Sequence, residues 1–224
     1  MTRPADDSEE PGVSRQGHWD AVYRTKAPDE VSWFQADPEL SLELIKATGA
    51  GRGARILDVG GGVSVLADRL MEEGFDQLGV LDVSAAALAA FQARLGPASQ
   101  AVEWIQCDVV EYRAREHWDV WHDRAVFHFL VDPLDRARYR EALYRAVPQG
   151  GHVIVATFGP GGPNRCSGLP TLRCSAEDIA RELGTGVDLV DTKTETHLTP
   201  SGMRQEFVYA RLARVESPPQ VKQR

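Results

Sequence analysis

Cysteine is scarce in this chain of 224 residues: Cys107, Cys166 and Cys174 are odd in number and none belongs to a CxxC pair. That argues against a disulfide framework, and zinc-ligand spacing is absent. No apolar run approaches the roughly 20 residues that a membrane-crossing helix needs, so no membrane partner is expected. Lys and Arg never form a long cluster and the net charge is −8, which makes a broad nucleic-acid footprint an unexpected use of the surface. Residues 1–13 are acidic, punctuated by Pro and Gly, and lack the apolar core of a secretion signal. They read as a disordered tail of a cytoplasmic protein. No internal repeat is visible.

What is present suits one folded domain. Hydrophobic residues make up 42% and charged residues 26% of a chain long enough to bury a real core. Its organising stretch is Arg55 to Arg69. Ile56, Leu57 and Val59 form the short apolar run of a strand buried on both faces. Gly60, Gly61 and Gly62 follow, where the backbone can turn sharply and approach a ligand closely. Val65, Leu66, Ala67 and Leu70 then fall at helical spacing. The pattern is strand, glycine turn, helix.

Further strands are expected over 77–83, 101–106, 118–123 and 152–158, with helices over 85–95 and 135–147 between them. Ser84 is placed to cap the first of these helices. Alternating strands and helices imply parallel pairing with right-handed crossovers. The ending changes character: a capped helix begins at Ser175, and strand-like runs 187–196 and 203–213 are separated by a turn too short for parallel pairing. Upstream, Trp19, Val22 and Tyr23 lie on one helical face, Val31 to Gln35 is an aromatic loop, and Pro38 suits a helix start. Those aromatics belong either to the core or to a cover over the glycine turn.

A dinucleotide fingerprint needs glycine at its sixth position, where this chain has Val65, and an anionic pyrophosphate gains nothing from Asp58. A cationic ligand does. Asp58, Asp82, Asp108 and Asp123 stand near the ends of four successive strands, where open sheets bind their ligands. Any one of them alone reads as a cap or turn former. Asp82 fits a ribose in either cofactor class.

Asp58-x-Gly60-x-Gly62, followed in order by Asp82 and Asp108, resembles class I S-adenosylmethionine (SAM) dependent methyltransferases over residues 54–213. The resemblance implies a Rossmann-like, doubly wound α/β fold with a mostly parallel seven-stranded sheet and a C-terminal antiparallel hairpin. It divides the chain into a tail at 1–13, a helical lid at 14–53, a SAM-binding domain at 54–214 and a second tail at 215–224. It also implies that Asp82 accepts from the ribose and Asp108 from the adenine amino group, with Val83 on the adenine face and the Val109 N–H on a ring nitrogen. Trp19, Tyr23 and Trp33 resemble the covering aromatics of small bacterial members and of elongation-factor lysine methyltransferases. Asp58, Gly60, Gly61, Gly62 and Asp123 complete the implied cofactor set; Gly61 and Val63-Ser64 depart slightly from the usual motif.

In the segment after the fourth strand, Asp123, Arg124 and His128 are the catalytic candidates. His128 has a side chain whose ordinary pKa of about 6.5 suits proton transfer, against the plain reading of a core histidine. Arg124 either binds an anionic substrate group or pairs with Asp123. The stretch from Phe158 to Pro170 reads as a long loop without regular periodicity; its Cys166 is inert unless Arg165 activates it. The expected activity is methyl transfer to a small-molecule thiol, amine or metalloid, the last needing two or three converging thiols. A protein lysine as acceptor and a non-catalytic SAM-binding domain are the alternatives. Without an obvious catalytic dyad, soft or ionised nucleophiles fit better.

Overall fold

The computed structural model describes residues 14–216; the two expected tails lie wholly or largely outside that range. Nine strands are found among the described residues, and seven of them form one sheet. These are β1 (Arg55–Val59), β2 (Gln77–Asp82), β3 (Val102–Gln106), β4 (Val120–Arg124), β5 (His152–Phe158), β8 (Val187–Leu198) and β9 (Arg204–Arg214). Their order is β3-β2-β1-β4-β5-β9-β8, parallel except for β9, which runs antiparallel to both β5 and β8. The Rossmann-like α/β architecture with its terminal hairpin is as the residue pattern implies.

Helices α2 (Glu39–Lys46), α3 (Leu66–Glu72) and α4 (Ala85–Leu95) bury Leu44, Ile45, Leu70 and Phe91 against one face of the sheet. Helices α5 (Pro133–Ala146) and α6 (Ala176–Leu183) bury Tyr139, Leu143 and Ile179 against the other. Strand side chains alternate between these two cores, so Leu57 and Trp121 enter one and Ile56 and Val120 the other. That parity decides where the interior aspartates point. Helix α1 (Arg15–Thr25) lies outside both layers, against the start of α4. The Asp20 carboxylate docks it there, accepting from Ser84 Oγ at 2.7 Å and Ala86 N at 3.1 Å.

Boundaries fall within two residues of those expected, and α4 and β5 match them, except in the stretch after β5. There a two-strand ribbon, β6 (Arg165–Cys166) and β7 (Leu169–Pro170), replaces an irregular loop. Ser167 and Gly168 both adopt positive φ, 49° and 80°. This matches the twist that a two-residue hairpin turn requires, and a serine at the first position hides it from a search for Gly-rich turn pairs.

Candidate active site

The glycine turn is stitched to the end of β2. Gly60 N donates to Leu81 O at 2.6 Å, and Gly62 N to Asp82 Oδ2 at 2.9 Å. Gly60 and Gly62 have φ of 67° and 51°. A Cβ at Gly60 would stand 2.0 Å from Val126 Cγ2, and one at Gly62 2.4 Å from the Tyr23 hydroxyl. Only glycine allows that turn and that approach together.

A pocket opens over this turn at the C-terminal ends of β1, β2, β3 and β4. Asp82, Asp108, Val83 and Val109 line it together with the rings of Trp19, Tyr23, Trp33 and Phe129. The aromatic rings meet edge to face, Trp19 with Phe129 at 5.0 Å and with Trp33 at 5.6 Å between centroids. Asp82 is fixed twice, since Oδ1 also accepts from Ser84 N at 2.8 Å. A carboxylate offers about four lone-pair sites, so two remain for a ligand. Burial pushes its pKa up to about 6 against those N–H donors, with Asp58 and Asp20 adding repulsion. Asp108 accepts from Val110 N at 3.2 Å and from Arg15 Nη1 at 2.6 Å, while Arg15 Nη2 reaches Asp135 at 2.7 Å.

Five expected site residues, Asp58, Gly61, Gly62, Asp123 and His128, do not line this pocket. Asp58 pairs laterally with His122 of β4, with Oδ1 2.8 Å from Nδ1. His122 Nε2 is in turn 2.9 Å from Ser41 Oγ on α2. The remaining oxygen, Oδ2, is buried without a hydrogen-bond partner. Asp58 and Gly61 line a second, adjoining cavity that shares Gly60, Trp33 and Arg124 with the first. Gly62 acts through its N–H to Asp82 rather than as pocket wall.

Asp123 is wholly buried on the opposite face of the sheet, accepting from Val126 N at 2.9 Å, Phe127 N at 3.1 Å and Tyr139 OH at 2.7 Å. It shapes the turn after β4 and reaches no pocket. His128 is equally inaccessible, packed on Phe129 and Phe158, with Nδ1 accepting from Phe158 N at 3.4 Å. Burial, reinforced by Arg124, pushes its pKa down to about 3, so the ring is neutral and serves the core. The plain reading of these two residues is the one the geometry supports.

Arg124 does line the pocket, without pairing to Asp123. Its Nε donates to Tyr209 OH at 2.9 Å and Nη1 to Trp33 O at 3.1 Å, and Nη2 lies 3.5 Å from Glu195 Oε2. Sequence reasoning passed over Arg15, Asp20, Ser41, His122, Phe129 and Glu195. Only His122 carried a usable signal, as a titratable side chain inside an otherwise buried strand.

Residues 56–151 match a family model described as a methyltransferase domain. The matched stretch reads as a methyltransferase domain. Among solved structures, this domain resembles a protein studied in the conversion of a disulfide bond into a thioacetal group during echinomycin biosynthesis. The two are 20% identical with a TM-score of 0.73, covering 92% of this chain and 95% of that one. It also resembles the N-methyltransferase NodS from Bradyrhizobium japonicum WM9 in complex with S-adenosylhomocysteine (16%, TM-score 0.63, 89% and 99% covered). A third is the glycopeptide N-methyltransferase MtfA complexed with SAM (16%, TM-score 0.63, 84% and 99% covered). No curated protein matches the sequence.

Among the described residues, no group of three His, Cys, Asp or Glu side chains is gathered for a metal, and no helix is long and apolar enough to cross a membrane. The methyltransferase pocket takes Cys107 and Cys166 into its wall, whereas Cys174 is buried in the core beside α6.

Proposed function

We propose that this methyltransferase transfers a methyl group from SAM to a small-molecule nucleophile. The residues present fit that cofactor. Asp82 has acceptor capacity for the ribose hydroxyls and Asp108 for the adenine amino group, with Val83 and Val109 beside the base. Trp19, Tyr23 and Trp33 offer the aromatic faces that stabilise a sulfonium. The bound cofactor supplies an activated methyl group; the protein's part is alignment and exclusion of water, and alignment alone is worth effective molarities of about 10⁵ M or more.

The observation that carries the small acceptor is the roof of the pocket. The loop bearing Trp33 is tied down from three directions. Arg124 reaches Trp33 O, His197 Nε2 lies 2.8 Å from Ser32 O, and Gln35 Nε2 donates to Glu195 Oε1 at 2.8 Å. A roof so fastened admits a compact molecule more readily than a protein chain. Calorimetry with SAM and S-adenosylhomocysteine tests the cofactor; absence of binding at millimolar ligand defeats the proposal. Labelled SAM added to a lysate should mark the small-molecule extract, and discrete labelled protein bands would point to a lysine acceptor instead.

A further inference from the structure

Trp19, Trp33, Val126, Phe129, Leu130 and Cys166 give this pocket its apolar wall. Apart from Asp82 and Asp108, each already held by N–H donors, no lining group accepts a proton near neutrality. Burial raises both the Tyr23 phenol and the Cys166 thiol, so each keeps its own proton. His128 lies beneath the wall and is already committed to the backbone of Phe158. Arg124 adds a guanidinium to the lining, its side chain only 9% exposed, with Nη2 making no hydrogen bond and lying 3.5 Å from Glu195 Oε2. Glu195, its nearest acid, also accepts from Gln35 and Tyr209.

Those features discriminate among nucleophiles. An amine reaches neutral pH as an ammonium, with an ordinary lysine-like pKa of about 10.4. It would have to lose a proton without a base, and would stand beside Arg124 in an apolar chamber, where like charges repel strongly. Its product would still be a cation. An aliphatic hydroxyl is worse, having a proton still harder to remove, and a phenol, near about 10, is little better than the ammonium. A thiol, with an ordinary pKa of about 8.5, ionises unaided to a useful fraction.

We infer that the acceptor is a thiol reacting as its thiolate, seated against the apolar wall that carries the joined Trp19, Trp33 and Phe129 rings, with Arg124 as its counter-charge. This rests on the methyltransferase reading above. The thiol proton passes to water as the acceptor enters. The thiolate lone pair then forms the new S–CH₃ bond while the methyl–sulfonium bond breaks, its electron pair staying on the departing sulfur. One negative and one positive charge become two neutral thioethers. Dry aromatic walls favour such a charge-cancelling step, because fixed protein groups take the place of hydration that would oppose it. Arg124 holds the anion before transfer and releases the neutral product.

The test uses the full chain, labelled SAM, and a panel of ring-substituted benzenethiols of differing acidity, with benzylamine and phenol as isosteres. Turnover of the thiols is expected, with kcat/KM rising with pH to a break at each acceptor's own pKa and shifting with it across the series. Arg124→Gln should lower kcat/KM for thiols by about tenfold or more, the worth of one charge-assisted contact. Arg124→Lys should recover part of that loss. Since Arg124 also ties the roof, the wild-type pH series decides if either variant fails to fold. With SAM held saturating at every pH, so that titration of Asp82 does not enter, a break fixed at one pH for all thiols would reveal a base in the protein and overturn the inference. So would preference for benzylamine, or cofactor binding without turnover of any thiol. Failure of cofactor binding itself overturns the reading beneath it.

Discussion

Asp82 carries opposing demands in one side chain. It terminates β2, fixes the glycine turn through Gly62 N, orients α4 through Ser84 N, and still presents acceptor sites to the pocket. Burial has raised its pKa to about 6, so acid converts an acceptor-only group into one carrying a proton. Cofactor affinity in the wild type should therefore fall as pH drops through about 6. Asp82→Asn should weaken S-adenosylhomocysteine binding about tenfold or more and flatten that dependence, read by calorimetry from pH 5 to 8. Equal affinities of the two proteins across the range would refute the assignment.

His128 makes a different prediction because its ring is sealed in the core. Its folded pKa of about 3 lies below the ordinary 6.5, so between those values the unfolded chain binds the extra proton. Its contribution is full above pH 6.5 and is lost as pH falls toward 3. Asp82 and Asp123, both raised to about 6 from 3.8, act oppositely: their contribution is full below 3.8 and lost as pH rises through 6. Replacing His128 with Phe should thus reduce the loss of stability on acidification from pH 6.5 to 4, as urea unfolding would show. A variant as acid-sensitive as the wild type would contradict the neutral, buried ring.

At the scale of elements, α1 is held by few but well-placed contacts. Asp20 anchors its middle on the start of α4, and Arg15 spans Asp108 and Asp135 at its beginning. Hydrogen bonding from Ser84 keeps the Asp20 carboxyl below its usual pKa, so this anchor persists in mild acid. The Arg15 pairs are partly exposed and so are sensitive to salt. Arg15→Ala should speed amide exchange over 15–25 and raise the cofactor Kd by roughly 3- to 10-fold, since partly exposed charge contacts are worth about 1 kcal/mol. Unchanged exchange in α1 would show that Arg15 does not fasten it.

Across the whole molecule, the terminal hairpin does more than extend the sheet. Its Glu195, Tyr209 and His197 reach back to Arg124 and to the loop that bears Trp33, so the last strands fasten that loop over the sheet's edge. Glu195→Ala would release Gln35 and leave Arg124 without its acid. The expected result is a several-fold higher KM for the acceptor with cofactor affinity little changed, because Asp82 and Asp108 take their hydrogen bonds from other groups. Steady-state kinetics beside calorimetry would separate the two; parallel loss of both would mean that the roof serves the cofactor as well.

The residue pattern by itself determined the strand–turn–helix unit, the alternation that makes a parallel sheet, the closing hairpin, and the emergence of Asp82 and Asp108 at the rim of the sheet. Each depends on local chemistry: glycine at positive φ, apolar runs of strand length, and acids at or just beyond a strand's last residue. Asp82 ends β2 and Asp108 lies two residues past β3, so both emerge at the rim. Tertiary structure alone decided the fate of Asp58 and Asp123. Each lies one residue inside its strand, where side chains alternate between the two faces: Asp58 meets His122 of the adjacent strand, which Ser41 holds from the layer above, and Asp123 accepts from Tyr139 of the opposite layer. Contacts spanning 85 to 165 positions, such as Arg124 with Tyr209 and Ser32 with His197, join the cover to the hairpin. No local pattern encodes them, because they exist only once the sheet has brought its edges and the N-terminal segment together.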